Sequence, residues 1–161
     1  MNDKANSERN LTVAAIDAGA LGAAQLAHIL QANSPESSRQ SAFDCLELWG
    51  AHHDHIEPLY AAATLLYQSG NDHLGVMVAE YATTMRRRPP SYPKWPLHDE
   101  ATGWQMDLLY ARLLVRVGRV SEAMAHYGSV LANCGATARP ALADEVSSVA
   151  RQLPLCDVRT A

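Results

Sequence analysis

Apolar residues recur every three or four positions along most of the chain, and polar residues lie between them. This period places the apolar side chains on one face of an α-helix. No segment shows the two-residue alternation of apolar and polar positions, bounded by turn residues, that is typical of a half-buried strand. The pattern therefore predicts an all-α protein with seven or eight helices.

Glycine and proline residues divide this pattern into helices. Residues 11–33 are helical in composition, and the Gly19–Gly22 region predicts two short helices there, with one kinked helix as the alternative. The run Ser34-Pro35-Glu36 is typical of a helix start. Gly70 and Gly118 are each expected to end a helix in the left-handed conformation. Arg139-Pro140 begins the last predicted helix.

The length of 161 residues predicts one folded domain. Residues 1–9 are polar and are expected to form a disordered lead, residues 10–155 form a single helical domain, and residues 156–161 form a tail. Within the domain, residues 86–98 (RRRPPSYPKWPLH) contain four prolines. Since proline interrupts a helix, this insertion is predicted to be extended or polyproline-like.

Composition narrows the expected location and partners. The formal net charge of −4 gives no general attraction to nucleic acid or to an anionic membrane. The three cysteines are scattered and form no CxxC pair, which favours a reducing compartment over a disulfide framework or a zinc site. The chain shows no apolar signal core and no membrane-length apolar run, so a cytoplasmic protein is expected. The alanine- and arginine-leaning composition points to a bacterial source.

Small residues recur at matched positions around the two helix-ending glycines. Ala63 lies seven residues before Gly70, and Gly75 lies five residues after it. Ala111 and Ala123 lie at the same two offsets from Gly118. Small side chains at facing positions let two antiparallel helices cross closely, and Tyr127 lies one helical turn beyond Ala123. The segment from Trp104 to Leu131 in this way resembles a tetratricopeptide repeat.

The resemblance covers residues 57–134 best, with Leu66 and Leu114 as matching core positions. It departs from the family in two respects. The family repeats at about 34 residues, whereas these glycines are 48 positions apart because the proline-rich insertion lies between them. Asp107 occupies a position where the family usually carries a large apolar residue, which Trp104 is expected to replace from one turn away. A generic helical bundle with alanine-rich crossings is the alternative.

The resemblance implies a short superhelix of antiparallel helix pairs, closed by a capping C-terminal helix. It also implies a non-enzymatic adaptor or chaperone that binds a peptide or helical segment of a partner protein in a concave groove. Small bacterial members of the family often act as chaperones in secretion systems, and family members commonly form homodimers. The first helix of each pair lines the groove in this family, which places Glu57 there together with these partner-binding candidates: Tyr60, Thr64, Tyr67, Gln68, Gln105, Leu108, Arg112 and Arg116.

The two arginines of this set, Arg112 and Arg116, suit a partner segment that carries acidic groups. The alternative is that they form only the solvated side of an amphipathic helix. A second candidate surface is the basic arm of the insertion, which comprises Arg86, Arg87, Arg88, Lys94 and Trp95. Basic and aromatic residues together can contact phosphates and stack on bases, which gives a nucleic-acid-binding regulatory domain as an alternative function. An arm folded across the domain with Trp95 buried is the preferred interpretation.

Two groups of residues raise the second alternative, a histidine-dependent metalloenzyme: the run His52-His53-Asp54-His55 and the run His98-Asp99-Glu100. Metal ligands on one helix face need a spacing of three or four residues, so contiguous side chains point in different directions. A polar helix terminus is the preferred interpretation. The sequence contains no nucleophile or phosphate-loop motif, and we expect no catalytic residue, metal or cofactor.

Overall fold

The computed structural model describes residues 3–86 and 94–153, with side chains from Ala18 onward. In these ranges the chain forms eight α-helices and no strand, which confirms the all-α prediction. None of these helices is both long and apolar enough to cross a bilayer. The helices are α1 (Asp3–Ala32), α2 (Ser38–Ala51), α3 (Glu57–Gln68), α4 (Asp72–Met85), α5 (His98–Thr102), α6 (Trp104–Arg116), α7 (Val120–Asn133) and α8 (Arg139–Ala150).

Helices that are neighbours in sequence pack against each other. Helix α3 lies between α2 and α4, α6 lies between α4 and α7, and α8 packs on α7. The short helix α5 lies beside α3 and α6. The amphipathic pattern of the long helices explains this order, because each apolar stripe is covered by the helix before it and the helix after it.

The N-terminal helices differ from the preferred prediction in two respects. The structure has one helix, α1, where the sequence favoured two short helices and gave one kinked helix as the alternative. Gly22 is buried against another part of the chain, so packing offsets the low helix propensity of glycine. Helix α2 begins at Ser38, because Ser34 and Ser37 form a turn in which the hydroxyl of each accepts a hydrogen bond from the backbone N–H of the other.

The two predicted helix-ending glycines are in the expected conformation. Gly70 has φ of +74° and Gly118 has φ of +80°, a region that favours glycine. After each glycine, the next N–H donates to a carbonyl five residues back, Asn71 to Leu66 at 2.9 Å and Arg119 to Leu114 at 2.8 Å. This is the Schellman arrangement, and it turns the chain so that the following helix packs back on the preceding one.

Small side chains lie where these helices cross. Ala63, Ala111 and Ala123 are fully buried, and a Cβ added at Gly75 would lie 2.7 Å from Cδ2 of Leu113. Tyr127, one turn beyond Ala123, is also buried. The predicted small residues are therefore buried in both helix pairs, and the close approach at Gly75 is to Leu113 of α6, between the two pairs.

Asp107 is buried at the contact between α4 and α6, and an ion pair replaces the apolar contact that the family pattern would place there. The Arg86 guanidinium donates to both Asp107 carboxylate oxygens at 3.0 Å, and also to the Gly103 carbonyl at 3.1 Å. Trp104 is only half-buried. Burial acts to raise the pKa of Asp107, but the attraction of nearby His126 and the hydrogen bonds from Arg86 outweigh it and hold the pKa below its usual value. The ion pair fixes the start of the insertion to α6.

Candidate functional site

A surface depression between α3 and α6 brings together seven of the eight predicted partner-binding residues. Its volume is about 320 Å³, and we call it the α3–α6 groove. The eighth predicted residue, Arg116, is not part of its lining. The lining consists of Tyr60, Thr64, Tyr67, Gln68, Trp104, Gln105, Leu108, Leu109 and Arg112.

Helix periodicity explains why these side chains share one surface. Tyr60, Thr64 and Tyr67 are spaced by four and three residues on α3, and Leu108 and Arg112 are spaced by four on α6. Packing of α3 against α6 then places the two faces side by side. The Thr64 hydroxyl donates to the Tyr60 carbonyl at 2.9 Å, so this face of α3 presents mainly aromatic and methyl surface.

A second cavity of about 300 Å³ adjoins the α3–α6 groove and shares Tyr60, Thr64 and Gln68 with it. Its other walls come from the end of α1 and from the α5 region, including Leu30, Leu97 and Glu100. Burial and the negative charge of Glu100 raise the pKa of Tyr60 above its ordinary value. The two cavities therefore adjoin at Tyr60, Thr64 and Gln68 of α3.

Both predicted arginines of the groove are held in ion pairs within the chain. Arg112 donates to the two carboxylate oxygens of Glu145 on α8, at 2.9 and 2.7 Å. Arg116 donates to the Asp72 carboxylate at 3.0 Å and to the Tyr67 carbonyl at 2.6 Å, and its guanidinium lies 3.7 Å from the centre of the Tyr67 ring. These charges therefore join helices to each other, and neither is simply a solvated side chain.

Glu57 does not face the groove, although its place in the first helix of a pair predicted that it would. Its side chain is 1% exposed and accepts a hydrogen bond from His98 at 2.6 Å. The sequence carried no local signal for this burial, because the partner His98 lies 41 positions away.

The structure separates the residues of the predicted basic arm. Arg86 is paired with Asp107, and Lys94 is exposed, 3.4 Å from the Asp99 carboxylate. Trp95 is 3% exposed, as the interpretation of a folded arm requires. Arg87 and Arg88 lie outside the described residues. The described part of the arm therefore does not present Trp95 for stacking on a base.

Each of the two histidine groups places one histidine beside Glu57. His53 is exposed beside Asp54, whereas His55 and His98 are buried on either side of Glu57. In the described part of the chain, no three or more His, Cys, Asp or Glu side chains have an arrangement that could hold a metal ion. Burial raises the pKa of the Cys45 thiol to about 12, so this thiol is unreactive near neutral pH.

Several lining residues were missed by sequence reasoning. Trp104 and Leu109 flank the predicted face of α6, and the four-residue spacing from Trp104 to Leu108 was available as a signal. Leu30 and Leu97 come from distant parts of the chain and carried no local signal. A comparison with protein-family models, curated proteins and solved structures finds no match to this chain.

Proposed function

We propose that this protein is a non-enzymatic interaction module of the tetratricopeptide-like kind, an adaptor or chaperone that binds a segment of another protein in the α3–α6 groove. The observation that carries the proposal is the convergence of seven predicted residues on one depression. The repeated glycine turns and small-residue crossings support the family resemblance. A bacterial and cytoplasmic setting, and a homodimer, remain expectations from sequence.

The chemistry of the groove favours a partner segment with apolar and neutral side chains. The rings of Tyr60, Tyr67 and Trp104 offer rigid apolar area, and the amides of Gln68 and Gln105 can both donate and accept hydrogen bonds. The expectation of an acidic partner rested on Arg112 and Arg116. Because both are already paired with carboxylates, we do not include acidic character in the proposal.

The two alternative functions receive less support. A nucleic-acid interface on the insertion would need accessible cations and a free aromatic ring, but Arg86 is paired and Trp95 is buried. A histidine-dependent metalloenzyme would need the two histidine groups to converge on one open site. His55 and His98 do meet at Glu57, but both are buried there, and no three possible ligands in the described part of the chain are arranged to hold a metal ion.

A substitution that fills the depression tests the proposal. Thr64 lines both cavities, so Thr64→Arg places a long charged side chain across their junction. We expect peptides selected from a displayed random library against the wild-type protein to lose at least tenfold in affinity, about 1.4 kcal/mol. Binding would be measured by isothermal titration calorimetry with the purified variant.

Thr84→Arg is the matched control. Thr84 is an exposed threonine on α4 whose hydroxyl also donates to a carbonyl of its own helix, at 2.7 Å, and it is not part of the groove lining. We expect it to bind the selected peptides as the wild type does. Equal loss in both variants, equal binding by both, or a failure to select any peptide would contradict the proposal.

A further inference from the structure

The carboxylate of Glu57 joins helix α3 to the end of the proline-rich insertion. Glu57 is the first residue of α3, where the helix dipole favours a negative charge. Its Oε1 accepts two hydrogen bonds, one from the backbone N–H of Trp95 at 3.3 Å and one from Nδ1 of His98 at 2.6 Å. One buried oxygen therefore holds both ends of the segment from Trp95 to His98.

Two further histidines contact the Trp95 ring of this segment. The His55 ring stacks on Trp95 with 4.0 Å between ring centres, and the His52 ring meets Trp95 edge-on at 5.0 Å. His55 Nδ1 lies 3.6 Å from Oε2 of Glu57, is buried, and has no hydrogen-bond partner among the described residues. We call Glu57, His55, Trp95 and His98 the Glu57 cluster.

The segment held by the cluster has a strained backbone. His98 N–H donates to the Trp95 carbonyl at 3.2 Å, which closes a turn with Leu97 at its third position. Leu97 has φ of +67°, a value that turns of this kind usually reserve for glycine or asparagine. Leu97 also lines the cavity that adjoins the groove. The hydrogen bonds to Glu57 therefore hold a strained turn that forms one wall of that cavity.

The charges of the cluster allow one extra proton but not two. The Glu57 carboxylate can offset one positive charge, and its Oε1 already accepts the hydrogen bonds from Trp95 and His98. A second imidazolium would leave a net positive charge buried beside Trp95, which is costly. The other titratable groups near the cluster are His52 and Asp54 in the loop before α3. Lys94 and Asp99 pair with each other at the surface.

We propose that the Glu57 cluster is an acid-sensitive latch, which holds the Trp95–His98 turn closed at neutral pH and releases it when proton uptake by the stacked His55 leaves more positive charge than Glu57 can offset. Release removes Leu97 from the wall of the adjoining cavity and lets the strained turn relax. The effect on ligand binding rests on the proposed function of the groove, but the latch itself does not.

The sign of the pH dependence agrees with this proposal. Burial lowers the pKa of His55 from its ordinary value of 6.5, and the opposing attraction of Glu57 is smaller. Because the released histidine binds a proton more readily than the closed one, the closed state is favoured above pH 6.5 and loses stability as the pH falls through the lowered pKa. The latch is therefore expected to open at mildly acidic pH.

Fluorescence of Trp95 tests the latch without any ligand. In the full chain with Trp49→Phe and Trp104→Phe, Trp95 is the remaining tryptophan. We expect its emission to shift reversibly to longer wavelength with a midpoint below pH 6.5, while the helical circular dichroism signal is retained. Emission that stays constant until the helices unfold would overturn the proposal.

Two substitutions and a control assign the transition to the cluster. His55→Phe keeps a ring against Trp95 but cannot take up a proton, so the midpoint should fall by about one pH unit or more. Glu57→Gln removes the charge that offsets the first imidazolium, so the midpoint should rise. His53→Gln, at an exposed neighbour, should leave it unchanged. Should His55→Phe fail to fold, amide exchange of residues 95–102 in the wild type must still accelerate on acidification.

The consequence for the groove is measured with a peptide selected near neutral pH. Its affinity for the wild type should fall at least tenfold near pH 5, and this loss should be much smaller for His55→Phe. Loss of affinity that is equal in the two proteins would overturn control of the groove by the latch. Failure to select any peptide, with the Trp95 transition intact, would contradict the proposed function and leave the latch supported.

Discussion

At the scale of single residues, the absence of a side chain at Gly22 makes room for the ring of Trp95. A Cβ added at Gly22 would lie 2.3 and 2.5 Å from Cη2 and Cζ2 of Trp95, and 2.9 Å from Nε2 of His52. These distances are far shorter than van der Waals contact. Helix α1 therefore carries a glycine in its interior, at some cost in helix propensity, because the Trp95 ring occupies the space beside it.

Gly22→Ala tests whether the Trp95 ring needs the space beside this glycine. Overpacking should cost about 1–3 kcal/mol, against a gain in helix propensity of about 1 kcal/mol, so we expect a net loss of stability. Gly128→Ala is the control, since Gly128 lies in α7 with no neighbouring atom near the added Cβ, and it should gain roughly 0.5–1 kcal/mol. Urea unfolding measures the stability of both variants. Stabilisation by both substitutions would show that the Trp95 ring does not need a glycine at position 22.

At the scale of helices, two features let one chain build two similar pairs with an insertion between them. Each pair is made by a glycine turn with buried small residues on both sides of it. The insertion is tied to the pairs at both ends by buried carboxylates, Asp107 at Arg86 and Glu57 at Trp95. These ties explain how two helix pairs whose glycine turns lie 48 positions apart can still pack on each other.

Ala123→Leu tests the close crossing of α6 and α7. Ala123 is fully buried, so the larger side chain should force the helices apart and destabilise the protein by about 1–3 kcal/mol. Ala125→Leu is the control, because Ala125 lies two residues away on the exposed side of α7. Thermal unfolding compares the two. Unchanged stability of Ala123→Leu would show that the helices do not need a small residue there.

At the scale of the whole molecule, ion pairs join the terminal helix to the helix pairs. Glu145 of α8 accepts hydrogen bonds from Arg112 at 2.7 Å and from the Tyr127 hydroxyl at 2.7 Å. Arg112, and to a lesser extent Tyr127, hold the pKa of Glu145 below its ordinary value of 4.5, although burial acts to raise it. The contribution of this cluster is therefore present above pH 4.5 and is lost as the pH falls through the lowered pKa.

Arg112→Met tests how α8 is held. Hydrogen bonds to charged groups contribute about 1.5–3 kcal/mol, and the guanidinium here is 38% exposed and partly screened, so we expect a loss of about 1 kcal/mol. Amide exchange of residues 139–150 should accelerate about fivefold, while α3 stays protected. Arg151→Met, at an exposed arginine, is the control. Unchanged exchange of α8 in Arg112→Met would show that packing on α7 alone holds this helix.

The pattern along the chain determined most of the helices and one face of the groove. Helical period, Gly70 and Gly118 located α3, α4, α6 and α7, because each of these signals acts within a few residues. The same period placed Tyr60, Thr64 and Tyr67 on one face. Local stereochemistry suffices for such features, since a left-handed glycine or an apolar stripe needs no knowledge of distant contacts.

Tertiary structure alone decided how charged and aromatic side chains are used. Arg112 pairs with a residue 33 positions away, and Glu57 is buried by a histidine 41 positions away. Gly22, which predicted a break in the first helix, is instead a contact for Trp95. The physical reason is that burial and ion pairing depend on which distant elements meet. An apolar stripe shows that one face of a helix is covered, but it does not show which other helix covers it.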